Sequence, residues 1–454
     1  MIKIKNPNTG NYFQYKKTSP SEISEKINHL HSNTWWRNCT LKKRISYLKA
    51  FQKQLIKTKN KLGQIIAEEI GKPLWESLIE VDISIKKIDV TISALDYRLN
   101  YPVLQNTEKK IETVIKPLGL VGIIGPFNFP LHIPNGQIIP ALITGNCVVV
   151  KPSEYAIKTS QFIEGLWKTS FKNVNSPIEF CYGDKSTGEQ IVQNKNISAI
   201  FFTGSSKTGQ LIENACLKRN KLCALEMGGN NSLIIDDLSP EIISNIITSS
   251  FITSGQRCTC SRRLFLNEKH HTLLKSLVEE IKLIPIKPSG SSNYHFMGPI
   301  VLEDIKNLLI NNDFKNSETL LKSINLGKGG LVSPRVELTN QLYDEEIFGP
   351  ILFISFYKNI DEAIEEVNKS KYGLSTSIYS KQKKIYNHIL KNIESGVINW
   401  NAPTTGASGL APFGGVKHSG NFRPAGLNMI DHCVIPVATT QQKKPSFLKY
   451  KNTP

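Results

Sequence analysis

The sequence lacks most of the features that would place it quickly. No run of about 18 consecutive apolar residues occurs, so no membrane-spanning helix is expected. The opening MIKIKNPNTGNYFQYKK has no apolar core of the kind a secretory signal needs, and a cytoplasmic protein is the expectation. C-x-x-C pairs and spaced histidine pairs are missing, which argues against a structural zinc site, and no metal is expected. The eight cysteines, at 39, 147, 181, 216, 223, 258, 260 and 433, are too dispersed for a disulfide framework, so any chemistry they do is thiol chemistry. Internal repeats and low-complexity tracts are absent as well. Acidic residues are in deficit: 38 Asp and Glu against 56 Lys and Arg give a formal net charge of +18. The basic residues nevertheless lie scattered on plausible helix exteriors, as in LKKRISYLKAFQKQLIKTKNK, without the aromatic- or glycine-interleaved tract of a nucleic-acid binder. The excess reads as surface composition, with attraction of an anionic substrate as its functional remainder; neither nucleic acid nor membrane is expected as a partner.

What is present is a 454-residue chain whose length favours two domains, and whose 40% hydrophobic and 21% charged residues suffice for sizeable cores. Apolar residues at Leu41, Ile45, Leu48, Phe51 and Leu55 predict a helix from Thr40 to Ile70 with one buried face, stopped by Gly71 and Pro73. VDISIKKIDVTISALDYRL predicts a second helix. From IETVIKPLGLVGIIGPFNFP onward, β-branched runs close on Gly and Pro, the texture of strands feeding turns. The runs NCVVVKPS, IEFCYG, ISAIFFTGSS, KLCALEMGG and SLIIDD alternate with helical stretches, which predicts βαβ units and a parallel, doubly wound sheet. RRLFLN, ILFISFY, STSIYS and GVINWN predict a second α/β domain. LKSINLGKGGLVSPRV reads as a loop or short hairpin, and the lysine-rich tail after Thr440 as loosely ordered.

Five stretches bear polar groups suited to chemistry. In AIFFTGSSKTGQLI a strand meets a helix through a glycine turn, where Gly204, Ser205 and Gly209 would let backbone N–H groups approach a phosphate. The spacing is not G-x-G-x-x-G, and a plain structural turn explains it equally. CVVVKPSEY ends in Lys151 and Glu154; a carboxylate at a strand end suits a ribose hydroxyl and repels a 2′-phosphate, which favours NAD, while helix capping by PSE is the plain alternative. In SGQRCTCSRR, Cys258 follows Arg257 and small residues ahead of an expected helix, surroundings that suit a readily ionised thiol, although inert buried thiols are commoner. Glu226 of LEMGGNN stands at a strand end where it would activate water, and Asn128 of GPFNFPLHIPNG offers an amide to an oxyanion. Capping or turn formation explains either of these as well.

The order in which GPFNFP, KPSE, FTGS, LEMGG, GQRC, EEIFGP and APFGG follow one another resembles the aldehyde dehydrogenase family, from NPNTG near the start to SGNFRP at 419–424. The resemblance implies an α/β fold: a Rossmann-like NAD-binding domain over 1–230, a catalytic domain over 231–424, and a small β oligomerisation arm built from 103–118 and 425–454, serving a homodimer or homotetramer. It implies Cys258 as nucleophile, Asn128 and the Cys258 N–H as oxyanion donors, and Glu226 as the base acting on water. It also implies NAD as cofactor, with Lys151 and Glu154 at the adenosine ribose, Gly204, Ser205 and Gly209 about the pyrophosphate turn, Glu346 at the nicotinamide ribose and Phe348 beside it. Cys260 has no step of its own.

NFPLHIPNGQIIPAL, LEMGGNNSLIIDD, SGQRCTCSRRL, VINWNAPTTGA and SGNFRP look like the branch of that family that oxidises N-succinylglutamate 5-semialdehyde in arginine breakdown. A substrate of that kind carries carboxylates. Of Arg257, Arg262, Arg263 and Arg423, the resemblance puts Arg257 and Arg423 near the substrate funnel as its anchors. The stretch 311–335 is shorter than usual, and Ser232 stands where the branch more often has proline. Succinic or glutamate semialdehyde is the alternative substrate. A cysteine hydrolase or acyltransferase is the alternative from another class, against which the nine histidines sit in no matching motif.

Overall fold

The computed structural model describes residues 1–105, 109–290 and 294–444. Residues 106–108 of the expected arm segment, and 445–454 of the expected loose tail, lie outside the described residues.

Helix Leu41–Ile70 starts where the Thr40 hydroxyl accepts the Lys43 N–H at 3.4 Å. It ends at Gly71, whose φ of 87° suits a residue without a side chain. Leu48, Phe51, Leu55, Leu62 and Ile66 form its buried stripe. The next helix, Leu74–Arg98, begins earlier than VDISIKK suggested, because Pro73 stands at its N-cap, where a missing N–H costs nothing.

The first large sheet has five parallel strands in the order Ile178–Phe180, Cys147–Lys151, Leu120–Ile124, Ala199–Gly204, Leu222–Met227. Val121, Ile123, Val148, Val149, Ile200 and Phe201 are buried, the unbroken apolar run required of strands covered on both faces. The strand order reverses beside Leu120–Ile124, and sheets of this kind bind ligands in the crevice at the carboxyl ends of the strands where that happens.

The second large sheet has seven strands in the order Ser317–Leu321, Arg335–Thr339, Ile351–Tyr357, Ser261–Asn267, Asn231–Ile235, Ser375–Tyr379, Val397–Trp400. All neighbours are parallel except the first pair. SLIIDD, which the sequence grouped with the first alternation, lies inside this second sheet. The stretch read as a loop or short hairpin joins the arms of an antiparallel hairpin, Ser317–Leu321 with Arg335–Thr339. Its polarity hid the strands: Arg335 and Glu337 form a buried ion pair at 2.6 Å, and the Ser317 and Thr319 hydroxyls donate to the same carboxylate. A three-stranded antiparallel sheet joins Leu104–Gln105, Lys109–Pro117 and Val434–Gln442. Among the described residues, no helix is long and apolar enough to cross a membrane.

Only Gly228, Gly229 and Asn230 separate Leu222–Met227 from Asn231–Ile235, so the carboxyl edge of the first sheet meets the amino edge of the second. That seam rests on close packing by Gly209, in helix Ser206–Leu217, against Met227; a Cβ there would overlap the Met227 sulfur. Gly209→Ala is expected to cost about 1–3 kcal/mol through overpacking. Gly165→Ala, at an open position of helix Ile157–Ser170, leaves stability unchanged or raises it. Thermal midpoints of the two variants check this, and equal midpoints would contradict the packing.

Candidate active site

The seam between the sheets is also where the reactive groups gather. The segment ahead of Cys258 is conformationally strained. Thr253, Ser254 and Gly255 have φ of 55°, 54° and 70°, a left-handed run that side chains disfavour. Local bonds hold it: the Thr253 hydroxyl donates to Glu76, and the Ser254 hydroxyl to the Gly298 carbonyl at 2.7 Å. The Gln256 side chain donates to the Thr253 carbonyl at 3.2 Å and accepts the Val301 N–H at 2.8 Å. Gly255 is obligatory, since a Cβ would overlap the Gly349 carbonyl.

Asn231 fixes the turn itself. Its Nδ2 donates to the carbonyls of Cys258, at 2.6 Å, and Cys260, at 2.8 Å, while its Oδ1 accepts the Ser375 N–H at 2.9 Å. Sequence reasoning quoted GNN as a mark of the family branch but gave Asn231 no role. The signal was a polar side chain opening a strand buried along its whole length.

Two expectations about Cys258 are corrected. Its turn leads into the strand Ser261–Asn267 and not into a helix, so the turn gives the thiol no helix N-terminus of its own. Nor are its surroundings electropositive: burial first, then the Glu346 and Glu226 carboxyls, push the thiol up to about 12. Arg257 opposes this only weakly, because its guanidinium pairs with Glu76 at 2.9 Å and donates to the Thr253 hydroxyl at 2.7 Å. Cys260 is fully buried, with its sulfur 3.5 Å from the Ile252 carbonyl.

Glu226 ends the strand Leu222–Met227. Its Oε1 accepts the Ala425 N–H at 3.0 Å, its Oε2 is buried without a partner, and burial holds its pKa well above the usual carboxylate range. Glu346 accepts the Gly229 N–H at 3.1 Å. Burial lifts it to about 7, against the pull of the Arg262 guanidinium and that N–H. Gly228 lets the Glu346 carboxylate lie against the backbone, since a Cβ there would displace it. Asn128 is buried, and its Nδ2 donates to the carbonyl of Gln256, two residues before the thiol, at 2.8 Å. Phe348 meets Phe127 edge-to-face at 5.8 Å, and Phe127 meets Tyr155 at 5.7 Å, an aromatic bridge across the seam that sequence inspection did not find.

The remaining candidates divide into two groups. Lys151, buried at a strand end, pairs with Glu154 at 2.9 Å beside the crevice of the first sheet. Ser205 caps helix Ser206–Leu217 by accepting the Thr208 N–H at 3.3 Å, at the carboxyl end of Ala199–Gly204, where a Cβ on Gly204 would strike the Phe202 ring. The arginines are different. Arg257 is committed to Glu76, which corrects its reading as a free anchor, and Arg423 is exposed. Arg263 donates to the carbonyls of Asn230, Glu366 and Val367, and Arg262 to that of Gly255.

Because burial keeps the Cys258 thiol protonated, its alkylation by iodoacetamide should quicken about tenfold per pH unit from pH 7 to pH 10, with no plateau near neutrality. Mass spectrometry of Cys258 against time measures this; a plateau by pH 8 would mean that the thiol ionises in the free protein.

The model of the aldehyde dehydrogenase family matches residues 1–436. Solved structures agree with the fold. An aldehyde dehydrogenase from Bacillus cereus, solved as a point mutant and as an NAD+ complex, superposes with a TM-score of 0.92 at 24% identity, over 98% of this chain and 93% of that one. A putative methylmalonate-semialdehyde dehydrogenase from Sinorhizobium meliloti 1021, complexed with NAD, gives 0.91 at 21% identity, over 98% and 95%. An NADP-dependent glyceraldehyde-3-phosphate dehydrogenase from Bacillus halodurans C-125, complexed with NADP, gives 0.89 at 27% identity, over 97% and 95%. With a half-buried thiol near the Glu226 and Glu346 carboxyls at the seam of two α/β sheets, and a family model matching residues 1–436, the chain belongs to the aldehyde dehydrogenase family.

Proposed function

We propose that this chain is an NAD-dependent dehydrogenase that oxidises N-succinyl-L-glutamate 5-semialdehyde to N-succinyl-L-glutamate. The observation that carries the chemistry is Cys258 lying within electrostatic reach of both Glu226 and Glu346. The substrate reading rests on the five segments that resemble the corresponding branch of the family.

The residues present fit a dinucleotide. Lys151 and Glu154 would hold the adenosine ribose, Gly204 and Ser205 the pyrophosphate at the capped helix, and Glu346 the nicotinamide ribose, with Phe348 alongside. Glu154 favours NAD because a carboxylate there repels a 2′-phosphate. When bound, the cofactor supplies the hydride acceptor.

The protein's own residues do the rest. The Cys258 thiolate adds to the aldehyde carbon, and the oxyanion is met by the Asn128 amide and the Cys258 N–H, donors held in place before charge develops. Asn128 keeps one amide hydrogen beyond its bond to Gln256. Loss of hydride leaves a thioester on Cys258. Glu226, whose raised pKa makes it a stronger base once ionised, takes a proton from the water that hydrolyses the thioester. Assembly through the sheet of Leu104–Gln105, Lys109–Pro117 and Val434–Gln442 is part of this reading, supported by the exposed Leu104, Ile111, Val114 and Ile435.

Purified protein is expected to form NADH from N-succinylglutamate 5-semialdehyde with a kcat/KM at least about tenfold above those for succinic and glutamate semialdehydes. Cys258→Ala should be inactive. Equal rates on all three aldehydes would refute the substrate, and absence of NADH from any would refute the reaction.

Glu226→Gln should release one NADH per site in a burst and then turn over about 100-fold more slowly, with the acyl group visible on Cys258 by mass spectrometry. In the unmodified protein the deacylation rate should rise with pH through neutrality, since Glu226 must lose a proton that burial retains. A flat profile from pH 5 to 9 would count against Glu226 as the base.

A further inference from the structure

The face that helix Leu74–Arg98 turns inward is polar where an apolar stripe would be usual. Glu76, Glu80, Ser84, Lys87 and Thr91 recur at spacings of three and four residues, and all are buried. Helix His132–Ile143, which follows the Asn128 loop, packs against it.

Most of this buried polarity is satisfied nearby. Glu76 holds Arg257. Glu80 pairs with Lys72 and accepts the N–H groups of Leu131, at 2.9 Å, and His132, at 3.1 Å. The Ser84 and Thr91 hydroxyls donate to the Glu80 and Lys87 carbonyls.

Three groups around Lys87 remain short of partners. Lys87 itself, 6% exposed, has no carboxylate partner among the described residues and donates only to the Gly426 carbonyl, at 2.8 Å. Asn135, 1% exposed, has a partner on neither its amide nitrogen nor its amide oxygen, and Nδ1 of His132 is likewise buried without one. An unpaired ammonium and an unsatisfied amide are each costly to bury, so their coincidence asks for a ligand that satisfies them together.

The three also share one place. His132 and Asn135 are three residues apart on one helix face. Burial first, then the nearby charges of Lys87, Lys72 and Arg257, hold the His132 imidazole down to about 4, neutral with one N–H to give. Gly136, on the same face, leaves open space, with nothing within 4 Å of where a Cβ would stand. Phe129 links this place to the nucleophile turn: its ring lies 6.4 Å from His132 and 5.1 Å from the guanidinium of Arg257, the residue before Cys258.

We propose that Lys87, His132 and Asn135 form the subsite that binds the carboxylate remote from the reacting carbon in an anionic aldehyde substrate. The inference rests on the reading of a carboxylated aldehyde given above, and it moves the anchor from Arg257 and Arg423 to this helix pair. Lys87 supplies the charge. Asn135 and His132 supply directed N–H donors, and the free amide oxygen of Asn135 is matched to an amide N–H such as an N-acylated substrate carries.

The test compares N-succinylglutamate 5-semialdehyde with hexanal, a neutral aldehyde, on the intact enzyme and on Lys87→Met, Lys87→Arg and Asn135→Leu. For the anionic aldehyde, kcat/KM should fall about 100-fold in Lys87→Met and about tenfold in Asn135→Leu, mainly through KM, with part of the loss recovered in Lys87→Arg. For hexanal all variants should stay within about threefold of the parent. Equal losses on both aldehydes would assign the three residues a structural role and overturn the subsite. Retention of the parent's preference for the anionic aldehyde in Lys87→Met would overturn the subsite alone. A parent enzyme that does not prefer the anionic aldehyde would overturn the substrate reading together with it.

Discussion

Burial of charge at the seam between the two large sheets is the constraint on which the site depends. Cys258, Glu226 and Glu346 each carry an ionisable group largely withdrawn from water, and in each the dominant effect is the same: desolvation disfavours the charged form. The thiol and the Glu226 carboxyl therefore rest protonated near neutrality, and their reactivity has to be released by whatever enters the site. This arrangement needs a backbone that can pass between the sheets without filling the space. Gly228 and Gly229 do so, the first lying against the Glu346 carboxylate and the second lending its N–H to that carboxylate.

The seam also explains why hydrogen-bonded side chains, more than ionic ones, position the nucleophile. A charged partner for Cys258 would have to be desolvated along with it, and an isolated ion in that setting costs several kcal/mol. Neutral amides avoid that cost. Asn231 ties the nucleophile turn to the strands Asn231–Ile235 and Ser375–Tyr379, Asn128 holds the carbonyl of Gln256 before it, and Gln256 closes the left-handed segment behind it. Three amides thus fix a backbone that would be strained if left to itself.

Much of this was legible in the sequence. The alternation of apolar runs with helical stretches described the sheets, because strands covered on both faces must be continuously apolar, and the order of motifs identified the family. The polar strands around Arg335 and Glu337 were not legible, because their buried ion pair and hydroxyl bonds remove the apolar signal on which strand recognition depends. The state of Cys258 was misread for a related reason. A neighbouring arginine in sequence suggests a depressed pKa, but Arg257 spends its charge on Glu76, a residue 181 positions away that only the fold brings near.

The same logic applies to the cations as a group. Arg257, Arg262 and Arg263 sit beside the thiol in sequence, which makes them the obvious partners for an anion, yet Arg257 pairs with Glu76, Arg263 donates to three backbone carbonyls, and Arg262 donates to one while its Nε and Nη1 stay buried without a partner. An arginine presents five N–H groups in a fixed fork, so a buried one is readily consumed by the surrounding framework. A lysine on a long stem, meeting a single carbonyl, keeps its charge uncompensated. Lys87 meets a backbone carbonyl and, among the described residues, no carboxylate, a state that belongs to the fold and leaves no trace in the local sequence.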